Sequence, residues 1–318
     1  MVRQHTVLID TPVALRPDWL TYRRFFNAAL TNNLATALWR HPGSDELFAI
    51  ASLTSVSELA RVDFHHSRAG FVFAPFANNR SAALRIDADL VCTPQGVHLP
   101  APAARHLQQV RDQFAASFES PQLDQPLRSA RWHPAPAVER IDHAASQAEF
   151  TNLVCSAVDF IRSSGIAKVV VSRTADRTLP AGFDAADAFL ELCVRFPQAF
   201  VSLVAIPGVG TWLGASPEVL LTVNGTSLTT MALAGTQRRP ENQLLEEVRW
   251  GAKETLEQEM VSIYVRDFFR AAGVSGVRET GPRTIPAGNM VHLQTVFEVD
   301  LPEAERYSLA NPVLEELH

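Results

Sequence analysis

The sequence predicts an α+β fold, with largely antiparallel β-sheets flanked by helices, and three observations predict it. Short runs rich in β-branched and aromatic residues, FVSLVAI (200–206), EVLLTV (218–223) and SLTTMAL (227–233), have the length and composition of strands. The turn signals PGVG and NG stand directly between them, which favours hairpins over crossovers. Helical periodicity is confined to separate stretches, chiefly 184–196 and 241–273.

Taken in order, residues 1 to about 93 mix short helical and strand patterns, with ELFAIAS (46–52) and GFVFAPF (70–76) as strands. Residues 94–140 are proline-rich around one helical patch, HLQQVRDQFAASF, and read as a connection. The chain thus divides into an N-terminal α/β portion, 1–140, and a second region, 141–318. In the latter, Ser146 and Glu149 form an S-x-x-E capping box ahead of apolar residues at Phe150, Leu153, Val154, Ala157, Val158 and Ile161, the spacing of one helical face. Gly165 supplies a stop. KVVVS then reads as a strand with Lys168 at its start, too short and too β-branched for a helix. GNMVHLQTVFEVDL (288–301) alternates as a strand.

Length and composition bound the function. A chain of 318 residues, 47% hydrophobic, can bury a large core. Its formal charge of −6, with arginines scattered along the chain, supplies no basic stripe for a phosphate backbone, so nucleic acid is not an expected partner. Cys92, Cys155 and Cys193 are widely spaced in apolar segments, which fits reduced thiols in a core. No apolar run is long enough to span a bilayer and the first residues lack a signal-peptide core, so a cytoplasmic protein without a membrane partner is expected.

Of the 28 basic residues all but Lys168 and Lys253 are arginine. Arginine stays protonated, whereas a lysine can lose its proton when desolvated or set beside another cation, so a site that needs a neutral amine cannot use arginine. Lys168 in GIAKVVVSR is therefore a candidate base; the alternative is a lysine snorkelling from a strand end. GASPEVLL (214–221), ALAGTQRRPEN (232–242) and KETLEQEM (253–260) also stand out. Each has an ordinary explanation: Glu218 as a strand-edge glutamate, Gly235 as a hairpin glycine, Glu257 as the i+4 ion-pair partner of Lys253.

In succession, KVVVSR, LGASPE, LAGT followed by basic residues, KE-x-x-E-x-E at the head of a long helix, and VHL resemble the chorismate-utilising enzymes. That family includes isochorismate, salicylate, anthranilate and aminodeoxychorismate synthases, and the resemblance runs from about residue 144 to the end. It implies an anthranilate synthase component I-like fold, chorismate as substrate and Mg²⁺ as cofactor. By the family's pattern Lys168 activates water, Glu218 is the general acid that protonates the departing hydroxyl, Glu257 is a magnesium ligand, Gly235 and Thr236 contact the substrate from a backbone turn, and His292 hydrogen-bonds it. A protonated carboxyl at Glu218 requires a desolvated or anion-rich pocket. Lys168 favours water over ammonia as nucleophile. Ala234 stands where aminodeoxychorismate synthases carry a nucleophilic lysine, which disfavours that branch.

The resemblance thus implies an isochorismate synthase, making a precursor of menaquinone or a siderophore; salicylate synthase is the alternative. It also implies a fold incomplete at the C-terminus. Family members continue past NPVLEELH into a segment that carries a second magnesium glutamate and contacts to the substrate carboxylates. A catalytically incomplete chorismate-fold module is the third reading, and a complete chain is expected to be a monomer.

Overall fold

The computed structural model describes residues 19–316 apart from 60–61, 64–67, 76–81, 125–131, 137–142, 167 and 240–243. Alternation along the first strand shows how the layers arise. In β1 (Thr36–Arg40), Leu38 faces a core formed with helices, while its neighbour Ala37 faces a second core formed with a small sheet. Successive strand side chains point to opposite faces, so a strand buried on both reads as continuously apolar.

The helical layer comprises α1 (Trp19–Thr31), α2 (Arg105–Phe118) and α4 (Ala185–Arg195), with α3 (His143–Ser164) between the last two in sequence. Trp19, Phe25, Phe114 and Phe189 from this layer pack with Leu38 and Leu203. Each is essentially solvent-free, a burial that contributes about 1.5–3 kcal/mol per side chain. Asp184 caps α4, its carboxylate accepting from the amides of Ala186 (2.8 Å) and Asp187 (3.0 Å), and also pairs with Arg23 of α1 at 3.0 Å.

The sheet beneath is six-stranded, in the order β7-β6-β2-β1-β8-β9. Its other members are β2 (Leu47–Ala51), β6 (Leu90–Thr93), β7 (Gly96–His98), β8 (Phe200–Ile206) and β9 (Gly210–Ser216). It therefore draws strands from both sides of residue 140, with β1 hydrogen-bonded to β8. A three-stranded sheet of β3 (Ser57–Leu59), β5 (Ala83–Asp87) and β4 (Gly70–Phe73) packs on its far face.

A four-stranded sheet, β10-β11-β13-β12, carries most of the sequence motifs. It is built from β10 (Thr222–Asn224), β11 (Ser227–Arg238), β12 (Arg278–Ala287) and β13 (Met290–Asp300), and is covered by α5 (Ala252–Ala271) and α6 (Glu303–Glu316) through Leu228, Val265, Phe269, Phe297 and Ala310. Among the described residues every strand pairing is antiparallel, as the turn signals predicted.

Several local expectations are corrected. Helix α3 spans His143–Ser164, so Ser146 and Glu149 lie inside it and not at its start. KVVVS forms no strand: residues 168–173 have no ladder partner among the described residues, and Val170 is 81% exposed. The helix expected over 241–273 begins at Ala252; 241–243 lie outside the described residues. Strand β12, RETGPRTIPA, was not foreseen, since it is exposed through its first half and shows no apolar alternation. Cys155 is exposed, unlike the buried Cys92 and Cys193, and none of the three forms a disulfide among the described residues.

Candidate active site

The site is assembled at one end of the four-stranded sheet from β11, β13, the head of α5, the connection after β9 and the extended segment after α3. Gly235 lies within β11 at a β-bulge: the register with β13 shifts between Ala234 and Thr236. The expected turn is thus a bulge inside a long strand, and Gly235 is not a hairpin glycine. Its φ is +62°, and a Cβ there would lie 3.3 Å from Glu254 Cβ and 3.4 Å from the Glu254 carbonyl oxygen. Glycine meets both demands, a left-handed backbone and close approach of the helix.

The bulge turns Thr236 opposite His292, its ladder partner. Thr236 Oγ1 lies 3.1 Å from His292 Nδ1, which is also 3.3 Å from the Gly235 carbonyl oxygen. One ring nitrogen is thereby fixed on the bulge, leaving Nε2 for another partner.

The bulge is held from behind by a residue that the motif reading missed. Gln258, only 2% exposed, accepts from the Ala234 amide at 2.9 Å and donates to the Ala232 carbonyl at 3.1 Å and to Thr295 Oγ1 at 2.9 Å. It clamps α5 to both β11 and β13. Helical spacing carried the signal: Gln258, Ser262, Val265 and Phe269 share the buried face of α5, so the amide sits on the apolar stripe where only a hydrogen-bonded role permits it.

One residue earlier, Glu257 falls on another face of α5. Its Oε1 lies 2.8 Å from Lys168 Nζ, each side chain about one-third exposed (33% and 34%). The partner of Glu257 is therefore Lys168, far away in sequence, and not the i+4 neighbour Lys253. The two residues singled out as base and metal ligand come together although KVVVS forms no strand.

Glu218 stands in the connection between β9 and β10, not on the strand expected over 218–223. The Ser216 hydroxyl accepts from its backbone amide at 3.3 Å and donates to its carbonyl at 3.2 Å, folding the Ser-Pro-Glu bend. Glu218 retains an open surface, yet burial of its carboxyl pushes its pKa above the ordinary 4.5, against the opposing pull of Lys168 and His292. Those two influences place Glu218 in the same electrostatic neighbourhood as both residues.

Among the described residues no three His, Cys, Asp or Glu side chains converge as a metal cage. The donor set still suits one cation: a partly exposed carboxylate offers hard oxygen, and Mg²⁺ commonly binds one or two carboxylates together with water and ligand oxygens. Glu257 is the residue expected in this role, and its carboxylate is here paired with Lys168. No described helix is long and apolar enough to cross a membrane.

A family profile described as chorismate binding enzyme matches residues 95–318, and the chain belongs to that family. Isochorismate synthase EntC of Escherichia coli K12 is 28% identical over 157 residues, 48% of this chain and 40% of EntC, and the O157:H7 protein matches equally. The chain therefore aligns with less than half the length of these relatives. Among solved structures, MenF, the menaquinone-specific isochorismate synthase of Escherichia coli, superposes with a TM-score of 0.57 at 17% identity, covering 98% of this chain and 77% of MenF. A Bacillus anthracis protein described as a 2,3-dihydroxybenzoate-specific isochorismate synthase, DhbC, gives 0.57 at 14% identity, covering 93% and 75%. Both likenesses establish the fold.

Proposed function

We propose that the chain carries isochorismate synthase chemistry, in which water adds at C2 of chorismate and the C4 hydroxyl leaves. The observation that carries this reading is the contact of Lys168 with Glu257, two motif residues far apart in sequence, with Glu218 within electrostatic reach of Lys168 and His292. The similarity to EntC over 157 residues supports it.

In this reading the Lys168 amine takes a proton from water as the new oxygen–carbon bond forms at C2. The ring double bond shifts, the C4–oxygen bond breaks, and protonated Glu218 gives its proton to the departing hydroxide. One water enters and one leaves. The upward direction of the Glu218 pKa, set first by burial, suits it to this work, since a poor leaving group requires a proton donor beside it. Glu257 pairs with Lys168 in this structure, so it would turn from the lysine to hold a metal ion. Glu257 would hold Mg²⁺ together with the ring carboxylate of the substrate, and the bound ion would neutralise that carboxylate and fix the ring. Gly235 gives the ring close backbone approach, and Thr236 and His292 supply hydrogen bonds. Cytoplasmic location and a monomeric complete protein belong to the same proposal, as does supply of isochorismate to menaquinone or siderophore synthesis.

A second reading, an incomplete module, is favoured by the unpaired 168–173 segment and by the exposed apolar residues Leu153, Val158 and Phe160 on α3. Separation of the products formed from chorismate and Mg²⁺ decides. Isochorismate alone supports the first reading, salicylate with pyruvate makes it a salicylate synthase, and no turnover at high protein concentration leaves the incomplete module.

A further inference from the structure

A cavity of about 440 Å³ adjoins the candidate site at two residues, His292 and Pro217 of the Ser-Pro-Glu bend. It lies between the α4–β8 connection, the end of β9, the end of β11 and the β12–β13 hairpin, and includes neither Lys168, Glu218 nor Glu257 among its lining residues. Its size is within the range of small-molecule pockets, about 300–1,000 Å³.

Its walls are fixed. Arg40, 4% exposed, donates to the carbonyls of Phe196 (2.7 Å), Pro197 (2.7 Å) and Ala199 (2.9 Å), holding the α4–β8 connection in one path. Gly288, with φ of +62°, meets the Phe196 ring so closely that a Cβ would lie 2.5 Å from Cε1. The hairpin and the aromatic ring therefore close on each other only because residue 288 is glycine. The Arg239 amide bonds the Asn289 carbonyl at 2.9 Å, tying the end of β11 to that hairpin.

Its charge is unanswered. Arg195 and Arg239 both line the cavity, both are exposed, and neither has a carboxylate partner among the described residues. The Arg195 guanidinium lies 5.8 Å from the Phe196 ring centroid, its one described side-chain contact. Two guanidiniums at one preformed cavity suit a carboxylate, which arginine binds through paired N–H donors. Phe196, Pro197 and Pro286 supply flat apolar surface for a ring.

We infer that this cavity is a second binding site, separate from the position beside Lys168, and that it takes a ring-bearing carboxylate, with Arg195 and Arg239 on the carboxylate and Phe196 and Pro286 against the ring. The inference does not depend on turnover. Calorimetric titration of the purified chain with benzoate, benzamide and acetate tests it, with circular dichroism confirming that each variant is folded. Benzoate is expected to bind, and benzamide, which keeps the ring without the charge, and acetate, which keeps the charge without the ring, each to bind at least about tenfold more weakly. Arg195→Ala with Arg239→Ala should weaken benzoate by at least about tenfold, while Lys168→Ala leaves its affinity within about twofold. Absence of benzoate binding, equal binding of benzamide, or indifference to the double substitution overturns the site. Loss of benzoate binding in Lys168→Ala overturns its separateness.

Discussion

Replacing Gln258 by leucine tests whether the bulge at Gly235 is held by the helix behind it. The leucine fills similar volume on the buried face of α5 but removes three hydrogen bonds. The Ala234 amide, beside the bulge, loses the Gln258 acceptor, and Thr295 Oγ1 loses a donor. An unsatisfied buried polar group costs about 1–3 kcal/mol, so the amide and hydroxyl together predict a destabilisation of about 3 kcal/mol. For a chain of this size each kcal/mol lowers Tm by about 2–4 °C, giving a fall of about 6–12 °C. Denaturant and thermal unfolding of parent and variant measure it. A loss below about 1 kcal/mol would refute the reasoning, because the amide would then have another partner or water would reach it. Gln258→Ala separates the polar term from packing: it should cost at least as much, having lost the same bonds and opened a cavity.

Three further outcomes follow from the site. Gly235→Ala should destabilise the chain by about 1–2 kcal/mol from the left-handed backbone alone, and retention of full stability on unfolding would show that the bulge relaxes. Lys168→Arg keeps a cation beside Glu257, so stability should stay within about 1 kcal/mol, as expected of a partly exposed ion pair, while any isochorismate formation falls by at least about 100-fold; equal turnover would end the base assignment. Glu218 has a raised pKa in the folded state, which therefore binds more protons than the unfolded chain between the ordinary 4.5 and the raised value. Through that window stability falls as pH rises, so Glu218→Gln should gain stability relative to the parent above the window and match it below; a variant that lost stability on the alkaline side would contradict burial as the cause of the raised pKa.

The order of elements was largely legible because antiparallel hairpins leave local signals: turn residues, short apolar runs and alternation all sit within a few positions of one another. The motif residues were legible as types, a rare lysine or a glutamate at a helix head, but not their partners. Lys168 and Glu257 meet through tertiary packing, and helix spacing alone favoured Lys253. KVVVS misled because β-propensity describes residues that pack well in a sheet, and no described strand is present to pair with them. Strand β12 was hidden for the complementary reason: its place comes from pairing with β13 and not from its own burial. Gln258 was readable from the apolar stripe of α5, but only as a polar anomaly whose partners the fold had to reveal.

The central claim is that water, activated at Lys168, is the nucleophile. Conversion of chorismate with Mg²⁺ in water enriched in heavy oxygen tests it most directly, with mass spectrometry locating the label. The account predicts isochorismate carrying the heavy oxygen in its C2 hydroxyl, formed by the parent chain and lost in Lys168→Arg. Isochorismate without label, or label incorporated equally by the variant, would contradict it.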